Sequence, residues 1–520
     1  MAGGGLVYGL PEDINRLLHT NDPRVDYQVD AIKNSLGVAL DLKEKIALQI
    51  THMRMDLMRL EREELHATRH IKLCDFALAP VRRMPPEVLS HIFLQYVALL
   101  EEEDSNEPQI TNIRNGVWVL TRICSYWRAV AITTPALWST CRFRCGMKQK
   151  HTVDIVHEWL NRARTHPLSI RFESFTHLED HVIRCSCCSV LEAFVARSTR
   201  WVELELRVPK QFYSLPVLEF LRNQLPSLKR LKIHALPSMH ASDDDPVTWI
   251  TIFDTAPSLK AVDLKAFSSW DLRMVLPWTQ ITSFSGELLA QYNILREAPN
   301  VTHCTFYRVY TSSTPPQSVP VVHNLQHLHL HAGSIRAGTL TLPALRSLII
   351  PGNDNTILAS VQSMLQSSMA SSLTSLYIDQ FTVNPEIMGV LTAAPSVTQL
   401  TIRAASMQSV SQTDWFFNAF VEHGDTPAIL PALCTLDIKK LALGESFVRM
   451  LRGRCAPPTA EDASMEAEDH DHWQGARLES LTLSDVGNTH ISHLLEIKKL
   501  GTEVGLKLRD EGLSGVRILG

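Results

Sequence analysis

Three histidines alternate with leucines in the segment HLHLHA at positions 327–332. Alternate residues of a β-strand lie on one face, so His327, His329 and His331 would be neighbours, and imidazole nitrogens are common zinc ligands. The nearby sequence offers no carboxylate to complete a ligand set. We therefore predict ordinary surface histidines at this place and no metal site.

A cysteine cluster is the second group of possible metal ligands. Cys185, Cys187 and Cys188 follow His177 and His181. Zinc sites usually combine two C-x-x-C pairs, or one such pair with spaced histidines, and this segment has neither arrangement. We interpret these cysteines as buried thiols, and we predict no metal and no other cofactor.

Signatures of catalysis are missing from the sequence as well. It contains no phosphate-binding G-x-x-x-x-G-K-[ST] loop, no H-E-x-x-H zinc-protease motif and no G-x-S-x-G nucleophile elbow. A catalytic group assembled from distant residues would leave no such signature, so an enzyme of unrecognised type stays open as a further hypothesis. We predict a protein that is not an enzyme and has no catalytic residues.

Composition and charge narrow the class of protein. The chain has 520 residues, 45% of them hydrophobic and 20% charged, which is typical of globular proteins with several structural units or a repeat array. A formal net charge of −5 gives no overall field that would attract nucleic acid or anionic lipid. The sequence shows no signal-peptide pattern and no apolar run of membrane-spanning length. We predict a cytoplasmic and/or nuclear protein that binds neither nucleic acid nor membranes.

The first elements along the chain are predicted to be helical. Residues 1–25 lack a hydrophobic period, and we interpret them as a disordered tail. Residues 26–79 carry an apolar seam with alternating spacings of four and three, formed by Ile46, Ile50, Met53, Leu57 and Leu60. The seam covers about three heptads, so a short coiled coil and a helical hairpin within the chain both remain open.

Two further helices are predicted between residues 80 and 140. Pro86 and Glu87 favour the start of one, because proline suits the first helical position and a carboxylate suits the positive helix end. An acidic loop at 101–116 separates it from an amphipathic helix that ends before Pro135. The apolar residues of this second helix are Leu120, Ile123, Cys124, Trp127 and Val130.

From residue 165 to the C-terminus a pattern of the type L-x-x-L-x-L recurs. Its spacing of roughly 20–45 residues leaves room for one strand and one return helix or loop, and stacked copies would cover each other's apolar side chains. We predict an irregular leucine-rich-repeat-like α/β solenoid over 165–520, with a disordered acidic insertion at 455–476. The copies are WVELEL, LKRLKI, LKAVDL, VTHCTF, LQHLHL, LRSLII, LTSLYI, VTQLTI, LCTLDI and LESLTL.

The segments MPPEVLSHIF at 84–93 and LTRICSYWRAVAITTPALWS at 120–139 together resemble an F-box domain. That pattern has a Leu/Met-Pro-x-Glu start, an apolar helix, a Val/Ile-Cys-x-x-Trp-Arg helix and a closing Pro-x-Leu-Trp. With a helix before it and a leucine-rich region after it, the chain is similar to the large F-box family of mushroom-forming fungi. The resemblance implies an α + α/β protein: a long N-terminal helix, a small all-α F-box over 80–140, and the leucine-rich-repeat-like solenoid.

In that family the F-box docks on the Skp adaptor of a cullin-RING ubiquitin ligase. Besides Glu87 and Pro135, the positions that match the pattern fall into two groups. The resemblance implies that the adaptor-facing residues are Pro85, Val88, Leu89 and Ile92. It implies that the core of the F-box contains Phe93, Ile123, Cys124, Trp127, Val130, Leu137 and Trp138.

The leucine-rich copies offer a second candidate surface. In each copy, the residue between the last two apolar positions and the residue after them point away from the core. Their mixture of both charge signs with histidine and tyrosine is typical of a protein-binding surface and differs from a phosphate-binding stripe. The residues predicted to bind a substrate are Lys232, His234, Asp263, Lys265, Tyr307, His329, His331, Tyr377, Asp379, Arg403, Asp437 and Lys439.

The resemblance thus implies the substrate-recognition subunit of a ubiquitin ligase. Its partners would be the Skp adaptor, the cullin and a protein substrate, and it would act by holding that substrate near the ubiquitin-conjugating enzyme. The alternative is an F-box scaffold or interaction protein that works outside a ligase and dimerises through its N-terminal helix.

Overall fold

The structure is a computed structural model, and it divides the chain into two compact units, residues 1–89 and 90–520. The predictions of a disordered tail at 1–25 and of an acidic insertion at 455–476 fall almost wholly outside the described residues. Among the described helices, none has both the length and the apolar character needed to cross a membrane. The structure describes residues 16–17, 19–20, 23, 26–102, 109–114, 116–145, 151–174, 187–209, 212–213, 215–236, 248–265, 272–288, 294–309, 321–331, 340–368, 372–420, 429–455, 475–486 and 489–511.

The first unit contains one long helix, α1, from Asp26 to Leu78. Its 53 residues run without interruption, which confirms the predicted long helix and excludes a helical hairpin within this stretch. A 3-10 turn from Pro80 to Arg83 follows, and the guanidinium of Arg82 lies 4.2 Å above the ring of Phe76. The seam residues of α1 are exposed to solvent; for example, Leu57 is 56% exposed.

Helix α2 extends from Pro86 to Glu102 and starts where the sequence predicts, with proline at its first position. The single amphipathic helix predicted after the acidic loop is in fact two helices, α3 (Val117–Ile123) and α4 (Ser125–Thr133). Between them Cys124 is extended, with φ −157° and ψ 172°, and its sulfur accepts a hydrogen bond from the backbone N–H of Trp127. Cys124 therefore caps α4 instead of continuing a helix. A 3-10 turn from Pro135 to Trp138 follows α4.

The remainder of the second unit is built on an open, all-parallel sheet of 14 strands. The strands lie side by side in the order in which they occur along the chain, which confirms the predicted α/β character. The strands of this sheet are β1 (Thr140–Arg144), β2 (Leu168–Glu173), β3 (Trp201–Pro209), β4 (Arg230–Leu236), β6 (Ala261–Lys265), β8 (Ser283–Leu288), β9 (His303–Val309), β11 (His327–Leu330), β13 (Ser347–Pro351), β14 (Ser375–Phe381), β15 (Gln399–Gln408), β16 (Thr435–Leu441), β17 (Ser480–Ser484) and β18 (Lys507–Glu511).

Two small parallel sheets accompany the large one. In the first, β5 (Thr248–Ile250) pairs with β7 (Leu272–Met274). In the second, β10 (Val321–Val322) pairs with β12 (Leu340–Thr341). Both lie in long connections between strands of the large sheet, where the sequence predicted only loops or return segments.

Each of the ten leucine-rich copies forms a strand of the large sheet, but the sheet also contains four strands that the repeat pattern did not predict: β1, β2, β8 and β18. Strand β8 was missed because Gly286 occupies the position of the third apolar residue. A Cβ atom at Gly286 would lie 2.7 Å from the ring of Phe284 and 3.0 Å from the carbonyl oxygen of Leu264. The tight packing at this point selects glycine over leucine.

Helices lie between many of the strands and cover one side of the sheet. Edge-to-face contacts join them to the strands and to each other: Phe381 of β14 meets Phe416 at 5.0 Å, and Phe417 meets Phe447 at 4.8 Å. The leucine positions of the strands form the core on this side. These helices are α5 (Thr152–Arg162), α6 (Cys187–Val195), α7 (Pro216–Glu219), α8 (Ile294–Glu297), α9 (Asn355–Ser368), α10 (Pro385–Thr392), α11 (Val410–Asn418), α12 (Glu445–Cys455) and α13 (Ile491–Val504).

Candidate binding surfaces

The sheet has one buried face and one open face, and the strand alternation assigns the residues to them. In β14, Leu376 and Ile378 are fully buried, whereas Tyr377 and Asp379 are only half-buried. The same alternation holds in the other leucine-rich strands. All twelve residues predicted for substrate binding lie on the open face, within a strand or, for His331, directly after one, and none of them is buried.

Parallel pairing in register brings the open-face residues of successive strands into rows. The residue between the last two apolar positions of one strand pairs with the equivalent residue of the next. Neighbours in such a row are about 4.8 Å apart, so side chains far apart in sequence become direct neighbours. The central row, from β1 to β18, consists of Arg142, Arg171, Glu205, Lys232, Asp263, Ser285, Thr305, His329, Ile349, Tyr377, Thr401, Asp437, Thr482 and Arg509.

The first strands carry a charged patch that the register holds together. Glu173 accepts a hydrogen bond from Nε of Arg144 at 2.6 Å and lies 3.8 Å from Arg207. Arg207 also donates to Glu205 at 2.7 Å, so that it joins two carboxylates. The charged patch comprises Arg144, Arg171, Glu173, Glu203, Glu205, Arg207, Arg230 and Lys232.

Cations surround each carboxylate of the charged patch. Burial by itself would raise the pKa of Glu203, but hydrogen bonds from Arg230 and Lys232 outweigh it and lower this pKa. Over strands β1 to β6 the basic side chains of the open face outnumber the acidic ones. The basic residues are Arg142, Arg144, Arg171, Arg207, Arg230, Lys232 and Lys265, and the acidic residues are Glu173, Glu203, Glu205 and Asp263.

His234 lies at the border of the charged patch and carries no charge at neutral pH. Burial, with the nearby positive charges of Arg207 and Lys265, lowers the pKa of His234 to about 4. The opposing effect of Glu205 is smaller. His234 therefore offers hydrogen-bonding nitrogens among charged neighbours.

Tyr307 joins the charged strands to the next part of the open face. Its hydroxyl donates to Oδ2 of Asp263 at 3.4 Å, and the ammonium of Lys265 lies 4.6 Å from the centre of its ring. On its other side, the ring of His331 lies 5.2 Å away. Asp263 is half-buried there, and burial raises its pKa despite the opposing charges of Lys265 and Lys232.

Beyond Tyr307 the open face becomes an aromatic cluster of imidazoles. The rings of His303 and His327 stack at 4.2 Å, and those of His329 and His331 lie 3.9 Å apart. Burial and the neighbouring His331 lower the pKa of His329 to about 4, against the opposing charge of Asp379. Burial also lowers the pKa values of His327 and His331. The imidazoles of His327, His329 and His331 are therefore largely uncharged at neutral pH.

The other predicted substrate-binding residues lie on β14 to β16. Asp379 and Arg403 form a solvent-exposed ion pair at 3.8 Å. Tyr377, Asp437 and Lys439 are half-buried on the same face.

Possible metal ligands do not converge in the part of the chain that the structure describes. No group of three His, Cys, Asp or Glu side chains among those residues is placed to hold a metal ion. Cys187 is buried and Cys188 half-buried, whereas His177, His181 and Cys185 lie outside the described residues.

The residues of the F-box-like segment that lie beyond position 90 pack around aromatic rings. Phe93 and Trp127 have ring centres 4.9 Å apart. Trp138 is fully buried, and its indole N–H donates to the carbonyl oxygen of Ala131 at 2.8 Å. Val130 and Leu137 are also buried, at 4% and 2% exposure.

Two residues predicted for this core lie on the surface instead. Ile123 is 53% exposed and Cys124 is exposed as well. The reason is the break between α3 and α4: it shifts the helical phase, and the Cys124 side chain turns to the N-terminus of α4 to cap it. A continuous helix would have placed both on the same stripe as Trp127.

Trp118 is a half-buried residue that packs against this core and that the motif did not indicate. Its indole N–H donates to the carbonyl oxygen of Ile110, and its ring packs edge-to-face on Trp138 at 5.2 Å. The guanidinium of Arg162 lies 4.9 Å from the ring of Trp118 and 4.6 Å from that of Trp138. The sequence feature that could have indicated this packing is the position of Trp118 in the apolar run VWVL, just before the motif.

The predicted adaptor-facing residues separate into two groups along α2. Val88 and Ile92 are 47% and 43% exposed, and Pro85 is exposed before the helix begins. Leu89, in contrast, is 0% exposed, so the structure does not offer its side chain to an adaptor, contrary to the prediction. Leu89 belongs to the helical stripe of the buried Phe93, four residues on, whereas Val88 belongs to the stripe of Ile92.

Leu99, which is 63% exposed and seven residues beyond Ile92, continues that exposed stripe and was not predicted. The surfaces available for binding are thus an apolar stripe on α2 and the open face of the sheet. Comparison of the sequence with protein-family models finds no matching family, and comparison with curated proteins finds no match.

Proposed function

We propose that this protein is the substrate-recognition subunit of a cullin-RING ubiquitin ligase. Its F-box would dock on the Skp adaptor, and a leucine-rich-repeat-like solenoid would bind a protein substrate. The observation that carries the proposal is the packing of the motif's aromatic residues: Phe93 lies against Trp127, and Trp138, the last residue of the closing turn, is fully buried. This packing supports a small helical domain, because residues that matched the motif by chance would not be expected to contact one another.

The exposed stripe on α2 supports the docking role. Val88, Ile92 and Leu99 present apolar side chains to water on one face of this helix. Contiguous exposed apolar surface is costly for a soluble protein and usually marks a place where a partner binds. Pro85, exposed immediately before the helix, extends the proposed adaptor-binding surface.

The open face of the sheet supports the substrate-binding role. It carries charged, histidine and tyrosine side chains in continuous rows, and all the predicted binding residues are accessible there. A surface with both charge signs and several aromatic rings suits a protein partner with its own mixed surface. The chain would act by proximity, holding the substrate's lysines near the conjugating enzyme, so that none of its own residues needs to react.

A pull-down of the tagged full-length protein from its own cells tests the docking role. We compare the wild type with the double variant Val88→Asp, Ile92→Asp, in which both substitutions fall on exposed positions of α2. Ala98→Asp, at an exposed position on another side of the same helix, is the matched control. We expect adaptor and cullin to copurify with the wild type and the control but not with the double variant. If neither protein copurifies with the wild type, the proposal is wrong.

A second pair of variants separates substrate binding from adaptor binding. Lys232→Gln with Lys265→Gln removes two cations from the open face, and Lys229→Gln with Lys499→Gln removes two exposed lysines from elsewhere in the same unit. We expect the first pair to lose substrate proteins and keep the adaptor, and the second pair to keep both. Loss of the same proteins from both pairs would contradict a specific role for the open face.

The second candidate function is an F-box scaffold that works outside a ligase. The exposed apolar seam of α1 favours it, because this seam is a further surface for protein association. The pull-down distinguishes the two functions: a scaffold retains the adaptor at most, whereas a ligase subunit also brings down the cullin.

A further inference from the structure

The apolar seam of α1 is longer than the segment between Ile46 and Leu60. Because the helix runs unbroken from Asp26 to Leu78, the alternating spacing of three and four continues in register to both ends. Lys43 and Glu64 are the two polar residues in this series. The other members of the seam are Val29, Ile32, Leu36, Ala39, Ile46, Ile50, Met53, Leu57, Leu60, Ala67, Ile71, Cys74 and Leu78.

This full-length seam faces water. Leu36, Leu57 and Leu78 are 56%, 56% and 68% exposed, and no helix residue whose burial the structure describes is buried. A helix obtains most of its stability from packing its apolar stripe against another surface. A seam that keeps a strict heptad period over the whole helix is suited to pair with a second helix of the same period.

We propose that α1 pairs with α1 of a second copy of this chain in an antiparallel coiled coil. The proposal does not depend on the function proposed above. The two charged seam residues decide the direction. In a parallel pair, equivalent positions face each other, so Lys43 would meet the partner's Lys43 and Glu64 the partner's Glu64. Such a pair would also place Asp56 beside the partner's Glu61, another contact between like charges.

The antiparallel pair replaces these repulsions with attractions. When the two helices overlap over almost their full length and their seam positions face each other, the two-fold axis passes between Thr51 and His52. Ile50 then faces the partner's Met53, and Lys43 lies one layer from the partner's Glu64. Because a two-fold interface repeats each contact, the pair contains two such Lys43–Glu64 contacts. Both charges have long stems that reach the edge of the seam, where they stay hydrated.

The molar mass of the purified full-length protein, measured by sedimentation over a concentration series, tests the pairing. We expect a dimer of the wild type. Lys43→Glu and Glu64→Lys alone each create like-charge contacts in the antiparallel pair and should raise the dissociation constant about tenfold. The double variant Lys43→Glu, Glu64→Lys restores opposite charges and should recover the wild-type affinity. A monomer at all concentrations, or single and double variants with equal affinity, would overturn the proposal.

Cys74, an exposed seam residue near the end of α1, reports the direction independently. A parallel pair brings Cys74 next to the partner's Cys74, whereas the antiparallel pair separates the two by about 65–70 Å along the axis. In the variant Val29→Cys, we therefore expect mild oxidation to form a disulfide between position 29 and the partner's Cys74. The wild type should form no disulfide through Cys74. Val29→Cys with Cys74→Ser is the control and should not cross-link at this place. A Cys74-dependent cross-link in the wild type would show a parallel pair and overturn the proposed arrangement.

Discussion

Helix α1 and the strands of the large sheet show the same kind of apolar pattern with opposite outcomes. Leu376, Ile402 and Ile438 of the sheet are at most 1% exposed, whereas Leu57 of α1 is 56% exposed. In both, the apolar residues recur at the period of the secondary structure that they form. Their exposure differs because the sheet residues are covered by other described parts of the same chain, whereas those of α1 are not.

The sheet obtains that surface from its own repetition. Each strand pairs in parallel with the next strand of the sheet, and the helices between the strands cover the leucine positions. Among the described helices, no other carries a heptad stripe as long as that of α1, so we expect its matching stripe to come from another molecule. An apolar pattern therefore predicts that a face needs a partner, but only the tertiary structure shows whether the partner is internal.

The largest effect is expected when one buried leucine of the sheet is replaced and compared with one exposed leucine of α1. We expect Leu376→Ala to lower the free energy of unfolding of the sheet unit by about 2–5 kcal/mol, because it leaves a cavity in a packed core. Leu57→Ala should leave that value unchanged. Tryptophan fluorescence in a urea titration measures the unfolding of the sheet unit selectively, since all 10 tryptophans follow residue 90. Equal losses in both variants would mean that α1 and the sheet share one core.

A smaller effect is expected where the repeat pattern fails, at Gly286. The Cβ of Gly286→Ala would press on the ring of Phe284, and we expect a loss of about 1–3 kcal/mol in the same titration. Gly453, in α12, provides the control, because a Cβ atom added there would meet no other atom within 4 Å. Gly453→Ala should be neutral or slightly stabilising, because alanine favours helix over glycine. Tolerance of alanine at both positions would refute steric selection at Gly286.

The smallest expected effect is a pH dependence that arises on the open face. Burial lowers the pKa of His329 to about 4 from its ordinary 6.5, so the unfolded chain binds the proton more strongly than the folded one. This contribution to stability is complete above pH 6.5 and is lost as the pH falls toward 4. His329→Gln should therefore flatten the fall in unfolding free energy across this window. The exposed His157→Gln is the control, and equal slopes in the two variants would contradict the assignment.

Much of the fold followed from spacing alone. Heptad spacing predicted α1, proline and glutamate predicted the start of α2, and alternation predicted ten strands of the large sheet. The errors had local causes: a glycine replaced an apolar residue in β8, and Cys124 capped a helix that the apolar period suggested would continue. The predicted adaptor surface included Leu89 because a motif does not distinguish residues that touch a partner from residues that support the helix.

What the sequence determined by itself is the set of elements and the face of each element that is apolar, since these depend on periods of two or 3.6 residues. Only the tertiary structure decided which apolar faces are covered and which polar side chains meet. Strand register brings Glu205 beside Lys232, and Tyr307 within reach of Asp263, across gaps of 27 and 44 residues. Such contacts depend on how far each connection shifts one strand against the next, and that distance is set by packing of the whole sheet.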